Sequence, residues 1–140
     1  MMLNPILAIY HQLLMPPRSC MHPKGPEDQI CFKLANALRG WTVEDKLNAV
    51  WFHPANEVSD GDKFHFGNKL KAMGKVSGVS DYVFGNGEGM YCLEIKSKKG
   101  SLTHNQKAFF DWCEIKGVKH AVAKSFEEAK TQLMEWGILK

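Results

Sequence analysis

Two strand-like segments joined by a glycine-rich turn constrain the fold of this chain more than any other feature of its sequence. The first segment begins at Asp81-Tyr82-Val83-Phe84, and the second runs from Met90 to Lys96 with the alternation of a β-strand. Between them, residues 85–89 read Gly-Asn-Gly-Glu-Gly, a composition suited to a hairpin turn. Pairing of the two segments would bring Asp81 beside Glu94. The sequence therefore predicts a β-hairpin with two carboxylates at one end.

The spacing Glu94-x-Lys96 has a chemical meaning only on a strand. Residues i and i+2 of a strand point to the same face, whereas on a helix they lie well apart around the axis. The same spacing recurs in a polar connection and in two segments of helical periodicity. These copies are Glu44-Asp45-Lys46, Glu114-Ile115-Lys116 and Glu128-Ala129-Lys130. Only Glu94 and Lys96 are predicted to converge on one site.

Two carboxylates and a lysine on one sheet face suit metal-dependent phosphodiester chemistry. Hard oxygen ligands hold Mg²⁺ or Mn²⁺ and leave positions for a phosphate oxygen and a water. Lys96 would position or activate that water and offset the charge that builds on the phosphorus. The alternative interpretation is an exposed strand with a salt-bridged Glu and Lys.

A third acid, Glu27, lies at the start of a predicted helix. Pro26 and Glu27-Asp28 are typical of a first helical turn, and Gly40 indicates a stop. Glu27 lies on the same helix face as four apolar residues that follow it by three, four, seven and eleven positions. These are Ile30, Cys31, Leu34 and Leu38. Glu27 either caps its own helix or joins the acidic pair, and the predicted cluster favours the second role.

The chain order of these residues resembles that of a known nuclease family. Glu27 is followed by Gly78-x-x-Asp81, then by Glu94-x-Lys96, and then by Gln106 on a predicted helix. This order is similar to the VRR-NUC family, the virus-type replication-repair nucleases of the PD-(D/E)XK superfamily, in their stand-alone phage or bacterial form. The resemblance covers roughly residues 25 to 137. The ordered set is much more specific than any single motif.

The resemblance implies an α/β fold, with a PD-(D/E)XK restriction-endonuclease-like core in which helices flank a central mixed β-sheet. It also implies that Asp81, Glu94 and the backbone carbonyl of Ile95 hold the metal ion. Lys96 takes the place of the catalytic lysine. Together these residues would form the centre of the active site.

Two further residues match the family with less defined roles. Glu27 matches the acid of the first helix and is an additional candidate metal ligand. Gln106 matches the glutamine that supports the lysine or contacts the substrate. The chain departs from the family at Ser80, where relatives often have proline. Proline there shapes the turn and supplies no chemistry, and Ser80 is a candidate phosphate contact.

The charge of the chain is compatible with nucleic acid as a partner. The formal net charge is +3 and the sequence pI is about 8.6. Basic residues lie before the Asp81 turn, directly after the second strand and directly after Gln106. If they share one face of the protein, they would form a phosphate-binding rim. A set of solvated lysines is the alternative interpretation. The DNA-binding candidates are Lys69, Lys71, Lys75, Ser97, Lys98, Lys99 and Lys107.

The length of 140 residues suits one ordinary globular domain with an N-terminal addition. We assign residues 1–24 to an amphipathic helix with a proline-rich connection, and residues 25–140 to the VRR-NUC-like nuclease domain. Ile6, Ile9, Tyr10 and Leu13 share one face of that helix, before Pro16-Pro17. This face is expected to pack on its own domain, on a second copy or on another partner. The resemblance favours a homodimer, because stand-alone members tend to pair.

The remaining segments predict further elements. Strands are expected over residues 48–53 and 118–123, and helices over residues 64–73 and 103–116. In the second of these helices, four residues are expected to lie mostly in the core. They are Phe109, Phe110, Trp112 and Cys113. Ser125 and Glu128 predict a capping box for the last helix, and Asp60 and Asp62 lie in a predicted loop that could border the cleft.

Cysteine and histidine usage argues against a zinc site. Four cysteines are widely spaced, and six histidines show no zinc-ligand spacing. The cysteines are expected to be free thiols in the reducing cytoplasm of a bacterial or phage-infected cell. We predict no membrane span and no organic cofactor.

The sequence as a whole predicts a Mg²⁺- or Mn²⁺-dependent DNA endonuclease that acts on branched DNA such as Holliday junctions. The resemblance implies 5′-phosphate and 3′-hydroxyl ends. One alternative keeps the chemistry and changes the substrate, as in a flap nuclease, an exonuclease or a restriction-type enzyme. The other alternative is a catalytically inactive nucleic-acid-binding module.

Overall fold

The computed structural model describes residues 6–15, 22–54 and 63–140, with side chains omitted for residues 63–66. Within these ranges four strands form one mixed sheet. They are β1 (Val50–Phe52), β2 (Tyr82–Asn86), β3 (Gly89–Ile95) and β4 (Lys119–Ala123). The order is β1-β2-β3-β4, with antiparallel pairing from β1 to β3 and parallel pairing of β3 with β4. The predictions for Pro16-Pro17, Asp60 and Asp62 lie outside the described residues.

Helices cover both faces of the sheet. They are α1 (Leu7–Leu14), α2 (Pro26–Val43), α3 (Lys63–Ala72), α4 (His104–Ile115) and α5 (Phe126–Glu135). Helix α4 connects the parallel strands β3 and β4, a pairing that requires such a crossover. The predicted α/β architecture, a mixed sheet flanked by helices, is confirmed. Within the described ranges, no helix is both long enough and apolar enough to span a bilayer.

The alternation of β3 divides the core into two layers. Tyr91, Leu93 and Ile95 face a core that contains Leu34 of α2 and Leu133 of α5. On the other face of the sheet, the side chains that pack together come from β2, β3 and α4. They are Val83, Cys92, Phe109, Phe110 and Cys113. Because Glu94 follows Cys92 by two residues, it points to the α4 side of the sheet.

Helix α2 is longer than the sequence predicts. Gly40 lies inside the helix, which continues to Val43. Trp41 packs against the core, and burial of this side chain outweighs the cost of about 1 kcal/mol for glycine inside a helix. The left-handed residue after the helix is Asp45, with φ of 58°, a conformation that aspartate tolerates better than most residues.

Two predictions about the other helices are confirmed only in part. Trp112 is 52% exposed, because Phe109, Phe110 and Cys113 occupy the sheet-facing side of α4. At the start of α5, the Ser125 hydroxyl accepts the Glu128 amide, but the Glu128 carboxylate accepts the amide of Lys124. The predicted box is therefore only half formed.

Helix α1 has no buried residue and contacts α2. Tyr10 and Leu13, on its predicted apolar face, are half-buried, whereas Ile6 and Ile9 are 42% and 48% exposed. The expectation that this helix packs on its own chain is confirmed for part of the face.

Gly78 fixes the position of the turn before β2 against the start of α4. Its φ is +87°, a conformation that side chains rarely adopt. A Cβ at Gly78 would lie 2.3 Å from the backbone carbon and oxygen of Asn105. The two backbones therefore meet at a distance that only glycine allows.

We expect Gly78→Ala to destabilise the protein by about 2 to 4 kcal/mol, because it combines left-handed strain with a backbone clash. Gly117→Ala is the matched control: Gly117 has a φ of +73°, and a Cβ added there would have no neighbouring atom within 4 Å. The control should lose only about 1 to 2 kcal/mol. Urea unfolding followed by circular dichroism measures both losses. Equal losses would show that the approach to Asn105 is not a rigid constraint.

Candidate active site

The predicted acidic pair forms where β2 begins and β3 ends. Asp81 precedes β2, and its backbone N–H donates to Glu94 Oε2 at 3.2 Å. The Ile95 N–H donates in return to Asp81 Oδ2 at 2.7 Å. The Glu94 carboxylate therefore binds the backbone amide of Asp81, and the Asp81 carboxylate binds the backbone amide of the residue that follows Glu94. The predicted convergence of Asp81 and Glu94 is confirmed.

Gln106 holds the other oxygen of Glu94. Its Nε2 donates to Glu94 Oε1 at 2.8 Å, while its Oε1 accepts the Thr103 N–H at 2.9 Å. The Gln106 N–H donates to the Thr103 hydroxyl, which completes a capping box at the start of α4. The sequence suggested a contact to lysine or substrate, and the structure gives Glu94 as the partner. The cap rigidifies Gln106, so Gln106 can fix the orientation of Glu94.

Lys96 is a buried cation next to this pair. Only 7% of Lys96 and 3% of Glu94 are exposed. The Lys96 N–H donates to the Ala123 carbonyl at 3.0 Å, which extends the parallel pairing of β3 with β4 by one residue. The spacing of two residues puts Lys96 on the face of Glu94. Its positive charge favours the ionised form of that acid and so limits the rise in the pKa of Glu94 that burial causes.

Burial raises the pKa of both acids, and the charge of Asp81 adds to the rise for Glu94. For Glu94, burial first and the charge of Asp81 second raise the pKa from 4.5 to about 8, against the lowering effect of Lys96. For Asp81, burial raises the pKa, while hydrogen bonds from Ile95 and with Glu94 lower it. Two acids this close are difficult to ionise together without more positive charge.

Glu27 reaches the same end of the sheet from α2. It is half-buried, and its Oε1 accepts the Ser97 N–H at 3.4 Å. A Cβ on Gly100 would lie 3.2 Å from the same oxygen. Behind the larger effect of burial, the charge of Glu27 adds to the rise in the pKa of Asp81. The charge of Glu27 therefore acts on the acidic pair, and its carboxylate is hydrogen-bonded to the segment that follows β3.

His53 lies next to the candidate site, a position that the sequence did not predict. Its Nδ1 contacts the backbone carbonyl of Asp81, and its ring lies 5.3 Å from that of Tyr82. The pairing of Phe52 with Val83 places the residue after β1 next to the Asp81 turn. Only the pairing of β1 with β2 could have revealed this contact.

Ser80 is not a phosphate contact. Its side chain is fully buried, and its hydroxyl donates to the Tyr82 carbonyl at 3.1 Å. Ser80 stabilises the turn, as proline would in the family that the sequence resembles.

The DNA-binding candidates divide between different parts of the surface. Ser97, Lys98 and Lys99 line a groove beside α2 and α5. Lys69 and Lys71 lie in the last turn of α3, Lys75 follows that helix, and Lys107 lies in α4. These four lysines do not line the groove.

The free cysteines of the described chain are Cys31, Cys92 and Cys113. Burial raises the pKa of Cys31 and of Cys113 to about 12. Such thiols are poor nucleophiles at neutral pH, because attack requires the thiolate.

In the part of the chain that the structure describes, no group of three or more His, Cys, Asp or Glu side chains could hold a metal ion. The acidic pair therefore has only two side-chain ligands to offer, together with any backbone carbonyl. No protein-family model, curated protein or solved structure matches this chain.

Glu94→Gln tests the electrostatics of the pair through stability. A raised pKa means that the folded protein binds this proton more tightly than the unfolded chain does, so the contribution of Glu94 to metal-free stability is greatest below about pH 4.5 and is lost as the pH rises through about 8. Glu94→Gln, which mimics the protonated acid, should remove a pH-dependent change in the free energy of unfolding of the order of a few kcal/mol.

Urea unfolding in EDTA at several pH values measures this change. Glu127→Gln is the control, because Glu127 is exposed on α5. Parallel pH profiles for wild type and Glu94→Gln would contradict the electrostatic assignment.

Proposed function

We propose that this protein is a divalent-cation-dependent DNA endonuclease. The observation that carries the proposal is the pair of hydrogen bonds, from the Asp81 amide to Glu94 and from the Ile95 amide to Asp81, that holds the two acids together beside the buried Lys96. Two acids and one cation at the end of a strand pair are the groups that hydrolysis of a phosphodiester requires. The proposed active site is therefore centred on these three side chains.

The donor set of the pair fits Mg²⁺ or Mn²⁺. Asp81 and Glu94 supply carboxylate oxygens, and the proposed third ligand is the Ile95 backbone carbonyl. The raised pKa of both acids, caused first by burial, indicates that the pair needs positive charge beyond that of Lys96. When bound, the cation would neutralise phosphate charge and activate a water. Glu27 remains a candidate for an outer role at the same end of the sheet.

The protein groups then have separate roles. The Lys96 ammonium donates to the phosphate oxygens on which charge builds up, or to the attacking water. Gln106 and the Asp81 amide hold the two oxygens of Glu94 and thus fix its orientation. Because these donors are already in place, little reorganisation is needed when the substrate binds.

We assign the domain to the PD-(D/E)XK nucleases, and within them to the VRR-NUC type. The residue order from Glu27 to Gln106 supports this assignment, and the mixed sheet with helices on both faces is compatible with it. The assignment rests on these residues, since the comparisons match no family.

Branched DNA is the proposed substrate, and a homodimer is the proposed active form. Two copies related by a twofold axis would suit the two cleavage sites of a four-way junction. The exposed apolar residues of α1 support pairing, since Leu7, Ile9 and Leu14 are 48% to 59% exposed. The three free thiols among the described residues suit a reducing compartment such as the cytoplasm.

Lys96→Met tests the catalytic assignment, because methionine keeps an unbranched side chain and removes the charge. We expect metal-dependent cleavage of labelled four-way junction, flap, linear duplex and single-stranded DNA to fall by about 10²-fold or more. Lys116→Met is the control, at an exposed lysine that follows α4. Circular dichroism checks that both variants fold.

Cleavage at the wild-type rate by Lys96→Met would exclude the proposed role of this lysine. If folded wild type cleaves none of the four substrates with Mg²⁺ or Mn²⁺ while binding them, a binding module becomes the better assignment. Preference for flap or linear DNA would keep the site and change the substrate.

Metal binding provides a separate test that does not require cleavage. Mn²⁺ at about 100 times its dissociation constant should raise the free energy of unfolding by about 2.7 kcal/mol. Asp81→Asn should lose most of this increase because it removes one ligand charge. Asp111→Asn, an exposed position on α4, is the control. An undiminished increase in Asp81→Asn would place the metal elsewhere.

A further inference from the structure

A basic groove begins beside the candidate active site and extends between α2 and α5. Its volume is about 570 Å³. Of the described residues that line it, four are lysines and none is Asp or Glu. The lysines are Lys33, Lys98, Lys99 and Lys124. This concentration of one charge sign in a concave surface favours a polyanion as the ligand.

The four lysines come from distant parts of the sequence. Lys33 lies on α2, Lys98 and Lys99 follow β3, and Lys124 lies between β4 and α5. Only Lys98 and Lys99 are neighbours in the chain, so the sequence alone could not identify Lys33 or Lys124 as part of the same surface. The fold brings the four charges to one groove.

Contacts with the domain hold two of these lysines in the groove. Lys33 Nζ lies 4.7 Å from the centre of the Phe126 ring, and Lys124 Nζ donates to the Lys98 carbonyl at 3.4 Å. The carboxylate of Glu128 accepts the Lys124 backbone amide at 2.7 Å, but Glu128 does not line the groove. Lys33 and Lys124 therefore have restricted positions before any ligand binds.

The groove wall includes residues that are neighbours of candidate site residues in the chain. Ser97, in the groove wall, directly follows Lys96, and its amide donates to Glu27. Pro26, which precedes Glu27, lines the same wall. A nucleic-acid strand whose phosphate lies at Asp81 and Glu94 would therefore meet the groove as it leaves the site.

We propose that this groove binds the sugar-phosphate backbone of the substrate strand next to the scissile phosphate, a role that rests on the proposed nuclease function. Lys33 and Lys124 contact successive phosphates together with Lys98 and Lys99. Base recognition is not expected, because the Phe126 ring already packs against Trp41 and Lys33. Binding in the groove is therefore independent of sequence and sensitive to salt.

The double variant Lys33→Gln/Lys124→Gln tests the groove. Its control is Lys116→Gln/Lys119→Gln, which removes the same charge at exposed positions outside the groove. Lys119 is a close match for Lys33, because its Nζ lies 5.6 Å from the centre of the Tyr91 ring. Fluorescence anisotropy of a labelled single strand and of a four-way junction, in EDTA and over a range of salt, measures binding without metal-dependent cleavage.

The groove variant should bind both DNA probes at least about five-fold more weakly than the control variant at moderate salt. Its slope of log affinity against log salt should be smaller than that of wild type by about 2, because two lysines no longer neutralise a phosphate each. The control should keep most of the wild-type slope. Lys98→Gln/Lys99→Gln, as a second groove variant, should behave like the first.

The outcomes separate the groove from the nuclease assignment. If both groove variants match the control in affinity and slope while wild type cleaves DNA, the groove proposal is wrong and the nuclease function stands. If the groove variants bind weakly but wild type cleaves no substrate, the groove stands as a nucleic-acid surface and the catalytic proposal fails. No DNA binding by wild type overturns the groove proposal.

Discussion

The hydrogen bond from the Ile95 amide to the Asp81 carboxylate is the contact on which the candidate site depends. It ties the residue before β2 to the last residue of β3, next to the bond between the Asp81 amide and Glu94. Both bonds follow from the antiparallel register that pairs Tyr82 with Leu93. A shift of one residue would turn Glu94 to the other face of the sheet and separate it from Gln106.

Electrostatics and packing oppose each other at this point. The fold buries Glu94 and Lys96 almost completely and Asp81 partly, although burial disfavours the charged form of both acids. The amides of Asp81 and Ile95, together with Gln106, supply dipoles that partly offset the cost. A site built this way favours ligands that bring positive charge to the acids. The need for these amides also explains why the acids lie at a strand end, where backbone amides are available, and not in the middle of the sheet.

The sequence predicts the hairpin well because its information is local. The alternation of β3 and the glycines of the turn lie within a few residues of the acids, so the proximity of Asp81 and Glu94 could be deduced. The end of α2 could not, because burial of Trp41 depends on distant parts of the chain. Lys33 and Lys124 were missed for the same reason, since they approach each other only after α2 and α5 pack on the sheet. The exposure of Trp112 was missed because α4 carries several apolar residues, and their number alone does not show which of them face the sheet.

The close approach of Gly78 to Asn105 also affects how the site can move. The turn that carries Asp81 and the first turn of α4 are in backbone contact, and Gln106 joins that helix to Glu94. Neither segment can swing outward alone without breaking this contact, so we expect the hairpin and α4 to open and close as one cooperative unit. Helix α2, which brings Glu27 to Ser97, seventy residues later in the chain, packs on the other face of the sheet from α4. Because α2 packs on this face of the same hairpin, and the Tyr82 hydroxyl donates to the Cys31 carbonyl at 3.0 Å, Glu27 should move together with the acidic pair.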